Sequence, residues 1–239
     1  MANAGLSTRW SAVVPLATVS VRPRRGALFD MDRTLVNGDT AGLYTRYRRH
    51  RGDVSLGDRS RVLWWRMQFA LGLKDGPGLA RDVVASFCGG EERALKEAFK
   101  ECFDGYVRDR VRPAGRAAVE RHRAQGDLVA IVTGATRYAT EPLAAELGID
   151  RIVCTELEVD EAGRFTGHPL EPLCHGAGKL ERARQLADQE GFELTNATFY
   201  SDSVRDLPLL EVVGFPRIVN PDTALQRIAR QRGWPVEAW

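Results

Sequence analysis

Asp30 and Asp32 stand two residues apart at the end of a short apolar run, Gly26-Ala27-Leu28-Phe29, with Met31 between them and Thr34 just beyond. Alternate side chains of an extended chain share a face, so both carboxylates point the same way at the carboxyl end of a strand. In open α/β sheets that end is where ligands bind. Two like charges so close require a shared proton or a cation, and a hard cation such as magnesium suits donors that are all oxygen.

Further polar clusters follow other apolar runs. Thr133-Gly134 comes after Leu128-Val129-Ala130-Ile131-Val132, Asp202 and Asp206 come after Ala197-Thr198-Phe199-Tyr200, and Lys179 opens a helix between them. In a parallel sheet these all converge on one edge. Residue type then assigns roles. Asp30 is the candidate nucleophile toward phosphorus, forming an aspartyl-phosphate. Asp32 can give a proton to the leaving oxygen and later take one from water. Magnesium held by Asp30, Asp32 through its main-chain carbonyl, Asp202 and Asp206 would screen carboxylate from phosphate. Lys179, the Thr133 hydroxyl and amides around Gly134 would hold the remaining phosphoryl oxygens. Taken singly, each feature has a plainer reading: a turn, an N-cap, a solvated helix lysine. Four of them in fixed order, each at a strand end or helix start, exceed what capping and solubility require.

The elements that must position these groups can be read from periodicity. Asp39 or Thr40 is placed to cap a helix running to Arg51, ended by Gly52. From Ser55 to about Arg110 the pattern is helical. Arg61 to Leu73 forms one apolar stripe and Glu91 to Val107 another, through Leu95, Phe99, Phe103 and Tyr106, with breaks at Gly72 to Gly78 and at Gly89-Gly90. Beyond Pro113 helix and strand alternate: a helix over 114–125, the strand 128–132, a helix over 139–147 closed by Gly148, and a strand at 151–154. A surface hairpin around Glu161-Ala162-Gly163, a helix over 179–190 and a strand at 197–200 follow, then a last strand over 214–219 and a last helix over 222–232. The fold class expected is α/β, a doubly wound parallel Rossmann-like sheet with right-handed crossovers. Its core takes residues 26–37 and 113–239, an all-helical cap takes 38–112, and 1–25 form a flexible leader.

Composition bounds the alternatives. The 239 residues suffice for one core with an insertion. Net charge is +2, but Arg9, Arg22, Arg24 and Arg25 precede the first motif without a neighbouring acid, leaving −2 for the rest, so bulk charge gives nucleic-acid binding no support. No apolar run approaches the roughly 20 residues of a membrane span. Cys88, Cys102, Cys154 and Cys174 lack metal-ligand spacing and read as reduced thiols, in keeping with a cytoplasmic location.

The order Asp30-x-Asp32-x-Thr34, Thr133, Lys179 and Asp202-Ser-x-x-Asp206 resembles the haloacid dehalogenase-like superfamily, over residues 26 to about 222. The helical insertion directly after the first motif is similar to the subgroup that contains phosphoserine phosphatases. The resemblance implies a Rossmann-like core, magnesium dependence, the aspartate mechanism above and a mobile cap closing over a small phosphorylated substrate. True dehalogenases lack the second aspartate, so Asp32 argues for phosphate chemistry. Several positions depart from phosphoserine phosphatases: Asp39 where a Glu contacts the amino-acid part of the substrate, Thr133-Gly134-Ala135 for Ser-Gly-Gly, Arg205 for Asn, and Ser201 for Gly. Thr34, Gly134, Asp39 and Arg205 are the candidate substrate contacts, Thr34 orienting its loop by hydrogen bonding rather than reacting, and phosphoserine itself is in question. Phosphoryl transfer to an alcohol is the alternative reaction, and a non-catalytic phosphate-binding module the alternative class.

Overall fold

Leu28 and Phe29 point to opposite faces of a sheet and both are fully buried, which makes their strand a central one. The computed structural model describes residues 24–53, 64 and 76–239. Among these, strands β1 (Gly26–Phe29), β2 (Leu128–Thr136), β3 (Arg151–Val159), β4 (Phe165–Leu170), β5 (Thr198–Ser201), β6 (Phe215–Val219) and β7 (Val236–Glu237) form one sheet in the order β4-β3-β2-β1-β5-β6-β7. All neighbours are parallel except β3 and β4. The chain winds outward from β1 through β2 and β3, then returns to place β5 on the other side of β1. The carboxyl ends of β1, β2 and β5 thus flank the switch in winding direction, where such sheets open a crevice.

Each face is covered by helices. Ala27, Phe29 and Ile131 pack against α4 (Pro113–Ala124) and α5 (Arg137–Leu147) through Ala118, Val119, Leu143 and Leu147. Leu28, Ala130, Val132, Phe199 and Ile218 pack against α6 (Ala177–Glu190), the single turn α7 (Leu207–Leu210) and α8 (Thr223–Arg232) through Ala183, Leu186, Leu209, Leu225 and Ala229. Pro113 starts α4, and Gly148, Gly191 and Gly233 end α5, α6 and α8 in the left-handed conformation.

Helices α1 (Thr40–His50), α2 (Gly76–Ala85) and α3 (Glu92–Cys102) are inserted between β1 and α4. The two linkers to the insertion run side by side: Asn37 N–H donates to Arg110 O at 2.8 Å, Arg112 N–H to Leu35 O at 2.8 Å, and Val36 bridges Val111. No described helix is long and apolar enough to cross a membrane.

Several boundaries differ from those expected. β2 does not stop at Val132 but runs to Thr136, with a register shift against β3 after Val132, so Thr133 and Gly134 lie on an irregular strand end. β3 extends past Cys154 because the hairpin adds antiparallel partners. The break expected to reach Gly78 is already helical from Gly76. The helix expected to run to Val107 changes to a π-helical turn at Phe103–Val107. β6 is not the last strand, since Val236 and Glu237 pair outside it. The helix expected over Arg61 to Leu73, and residues 1–23 of the leader, lie outside the described residues. Arg24 and Arg25 of that leader belong to the fold: Arg24 Nη1 donates to Glu190 O, and Arg25 O accepts from Leu128 N–H at 2.8 Å.

The hairpin is not a free surface feature either. Gly89 N–H donates to Phe165 O at 2.8 Å, Phe165 N–H to Gly90 O at 2.9 Å, and Glu92 N–H to Gly163 O at 2.9 Å. Arg164 adds a bond to Gly89 O and an ion pair with Glu91. Phe165 buries its ring with Val84, Leu95 and Phe99 of the insertion and with Tyr138 and Leu157 of the core. Truncating it leaves a cavity in this seam, so Phe165→Ala should cost about 3–5 kcal/mol by urea unfolding. The Gly89 amide should also exchange its hydrogen faster.

Candidate active site

Lys179 is the group around which the strand ends assemble. It sits in the first turn of α6, where Gly178 lets the helix press against the preceding loop; a Cβ at Gly178 would lie 2.1 Å from Leu173 O. Buried to 4% exposure, its Nζ lies 2.8 Å from Asp30 Oδ1 and 2.7 Å from Asp206 Oδ1. Burial works to lower the ammonium's pKa, but Asp206 and Asp30 outweigh it and hold it well above the ordinary lysine range. An ammonium has three donors, and its third has no hydrogen-bond acceptor among the described residues.

Asp30 follows β1 directly, its N–H donating to Tyr200 O at 2.9 Å on the neighbouring strand. Burial pushes its carboxyl up, Lys179 pulls it down, and Asp206 and Asp202 push it up again, to about 8. The direction follows from charge: several carboxylates share one ammonium. Asp202 rises to about 6, first through burial and then through Asp206, with Arg33 opposing. Its main-chain O accepts from Asp222 N–H at 2.8 Å and its Oδ1 from the Thr34 hydroxyl at 3.5 Å.

Asp32 turns toward the insertion. Its Oδ1 accepts from Thr40 N–H at 2.9 Å, at the start of α1, which opposes a larger effect of burial that raises the group to about 6. The loop around it closes on itself, with Val36 N–H donating to Met31 O and Arg33 N–H to Gly38 O, both at 2.9 Å. Arg33 pays for this with a left-handed φ of 60°, uncommon for a side chain other than glycine. Thr133 is buried and its Oγ1 accepts from Ala135 N–H at 3.2 Å, so its own proton is directed elsewhere. Gly134 is exposed on the same strand end.

The structure therefore brings Asp30, Lys179 and Asp206 into direct contact, with Asp202 and Thr34 bonded beside them. It alters some expected parts. Both oxygens of Asp206 already have partners, Oδ1 in Lys179 and Oδ2 in Ser201 Oγ at 2.7 Å, so it positions the lysine whatever else it binds. Thr34 is fully buried and its hydroxyl donates to Asp202, a bond that orients its loop. Asp39 caps α1 through Ala41 N–H and stands exposed, within electrostatic reach of Asp32. Arg205 is exposed, its N–H donating to Ser203 Oγ at 3.3 Å.

Two supports escaped the sequence reading. Ser201, noted only as a departure from Gly, orients Asp206 and accepts from Ser203 N–H at 3.2 Å. Asp222, read as the start of a helix, also accepts from Val204 N–H at 2.9 Å and so fixes the turn after β5. Its capping position at Leu225 was the available signal.

Among the described residues no three His, Cys, Asp or Glu side chains form a closed metal cage. The donors on offer are the Asp30 and Asp202 carboxylates with the Asp32 main-chain oxygen. Such a set of a few hard oxygens fits magnesium, which takes one or two carboxylates and completes its shell with water.

Comparison with known proteins gives the family. The family model for haloacid dehalogenase-like hydrolases matches residues 27–211, and the chain belongs to that family. It is 30% identical over 215 residues to a histidinol-phosphatase of Neisseria meningitidis, covering 88% of this chain and 96% of the relative. It is 31% identical over 214 residues to a phosphoserine phosphatase of Mycobacterium tuberculosis, covering 88% and 71%. A crystal structure of a protein of unknown function from Bordetella pertussis superposes with a TM-score of 0.82 at 30% identity, covering 90% of this chain and 98% of that one. The chain is thus a hydrolase of the phosphoserine-phosphatase-like subgroup.

The raised carboxyls have a consequence for stability. Asp202 moves from 3.8 to about 6 on folding, so between those values the folded state keeps a proton that the unfolded chain has released, and stability falls as pH climbs through the window. Asp202→Asn removes this contribution. In chelator, the variant's melting temperature should improve relative to the parent's between pH 4 and pH 7, and at pH 7 added magnesium should raise only the parent's.

Proposed function

We propose that the protein is a magnesium-dependent phosphomonoesterase that works through an aspartyl-phosphate on a small phosphorylated metabolite. The observation that carries the reading is the buried Asp30, bonded to Lys179 at 2.8 Å at the mouth of the sheet. One oxygen of Asp30 is held by the ammonium, which leaves the other for in-line attack on phosphorus. As the new P–O bond forms, the bond to the leaving oxygen breaks, and Asp32 supplies the proton that oxygen needs. A carboxyl raised to about 6 retains that proton in a useful fraction of molecules near neutral pH. Asp32 then takes a proton from water, whose oxygen displaces Asp30 from phosphorus and releases phosphate.

The third N–H of Lys179, the Thr133 hydroxyl proton and the Gly134 amide would receive the equatorial phosphoryl oxygens. Asp30, Asp202 and the main-chain carbonyl of Asp32 would hold magnesium, which when bound screens the charge between nucleophile and phosphate. The inserted helices, joined to the core beside Asp32, would meet the leaving group and act as a cap. Relatives named for histidinol phosphate and for phosphoserine leave the leaving group open within the class of small phosphorylated metabolites. Asp39, within electrostatic reach of Asp32, would be the contact for a cationic group on it. Four cysteines outside any disulfide suit a reducing, cytoplasmic setting.

Asp30→Asn should leave the melting profile cooperative and abolish magnesium-dependent hydrolysis of p-nitrophenyl phosphate; retained turnover would exclude Asp30 as nucleophile. Asp32→Asn should lower kcat by about 10²–10⁴ with little change in KM, the usual worth of a general acid–base. Steady-state kinetics over a panel including phosphoserine and histidinol phosphate, with and without added alcohols, separates hydrolysis from transfer and orders the substrates.

A further inference from the structure

The π-helical turn at Phe103–Val107 is an uncommon backbone choice that tends to mark functional positions. Here it borders a cavity of about 520 Å³, apart from the strand-end cluster, lying where the two linkers enter the insertion. Gly105 and Tyr106 of the turn, Arg46 of α1, Asp109, Arg110 and Arg112 of the second linker, and Trp239 contribute to its walls.

Among the wall side chains three guanidinium groups face one carboxylate, and the carboxyl end at Trp239 adds a second negative group that is taken up by Arg112, so Arg46 and Arg110 are left with Asp109 alone. Nearby arginines are neutralised: Arg51 by Glu101 and Asp53, Arg108 by Asp104 and Glu146, and Arg116 by Glu146. Arg46 and Arg110, in contrast, have no ion pair or side-chain hydrogen bond among the described residues. Arg112 donates from both terminal nitrogens, to Trp239 O and to Asn37 Oδ1, yet its Nε is buried with no acceptor. A buried donor without a partner costs free energy, and like charges turned toward one concavity raise its potential for anions. The volume exceeds that of a bare ion and lies within the range of small-molecule sites, about 300–1,000 Å³.

We propose that this cavity is a second ligand site, which takes a small molecule bearing an oxyanion, phosphate or carboxylate, on Arg46 and Arg110. It is separate from the hydrolytic site and does not depend on the reaction assigned above. Amide NMR of the full chain with magnesium present tests it, using inorganic phosphate and succinate as probes. Saturable movement of the Gly105 and Val111 amides is expected with at least one probe, and which probe acts distinguishes a phosphate from a carboxylate ligand. Arg46→Gln/Arg110→Gln, both exposed positions, should weaken that response at least tenfold, the loss of a charge-assisted hydrogen bond. In the same variant the Gly134 amide should still respond to phosphate, which reports an intact fold and hydrolytic site. No saturable movement at Gly105 and Val111 with either probe would overturn the proposal. So would movement that persists unchanged in the double variant, which would mark an effect relayed from the strand ends.

Discussion

One buried ammonium shared between two carboxylates sets the terms for the rest of this molecule. Lys179 touches Asp30 and Asp206, with Asp202 and Asp32 close by, so negative charge exceeds positive in a place that water does not reach well. Burying ions is costly unless each is paired and hydrogen-bonded. The fold meets that requirement locally: Ser201 bonds Asp206, Thr34 bonds Asp202, the start of α1 bonds Asp32, and Asp222 holds the loop that carries Asp202. What remains unbalanced is an appetite for further positive charge, and the raised Asp30, Asp32 and Asp202 are its expression. On the function proposed above, such a site would take a cation and a phosphate together better than either alone.

The sheet explains how such a cluster is tolerated. β1 and its neighbours are apolar on both faces and anchored by helices, so the strand ends are fixed in position before any polar group is considered. The acids then sit on the rim of a rigid layer, with Lys179 delivered from a helix seated tightly by Gly178.

Much of this was legible in the sequence because strand ends and helix starts are local signals. Asp30, Asp32, Thr133, Lys179 and Asp202 each follow an apolar run or open a helix, and the parallel sheet converts that regularity into proximity. What was not legible depends on partners distant along the chain. Asp206 is four residues from Asp202 and looked like a second metal ligand; only the meeting of β5 with α6 shows both its oxygens committed. That Thr34 orients its loop could be expected from its place in the motif, but the partner of its hydroxyl, Asp202, lies 168 residues away. The strand extension to Thr136 and the pairing of Val236 outside β6 were hidden for the same reason, since each needs a neighbouring strand that local pattern does not name.

The seam between the hairpin and the insertion bears on how this chain can vary. Gly89, Gly90 and Glu92 pair by main chain with Gly163 and Phe165, so part of the insertion is an extension of the sheet's own edge rather than a lid hung on two linkers. Main-chain pairing tolerates side-chain change but not a change of length or register. The inserted helices are therefore not a cassette. An exchange between relatives would have to carry the hairpin after β3 along with them, two separate stretches of sequence moving as one unit of inheritance.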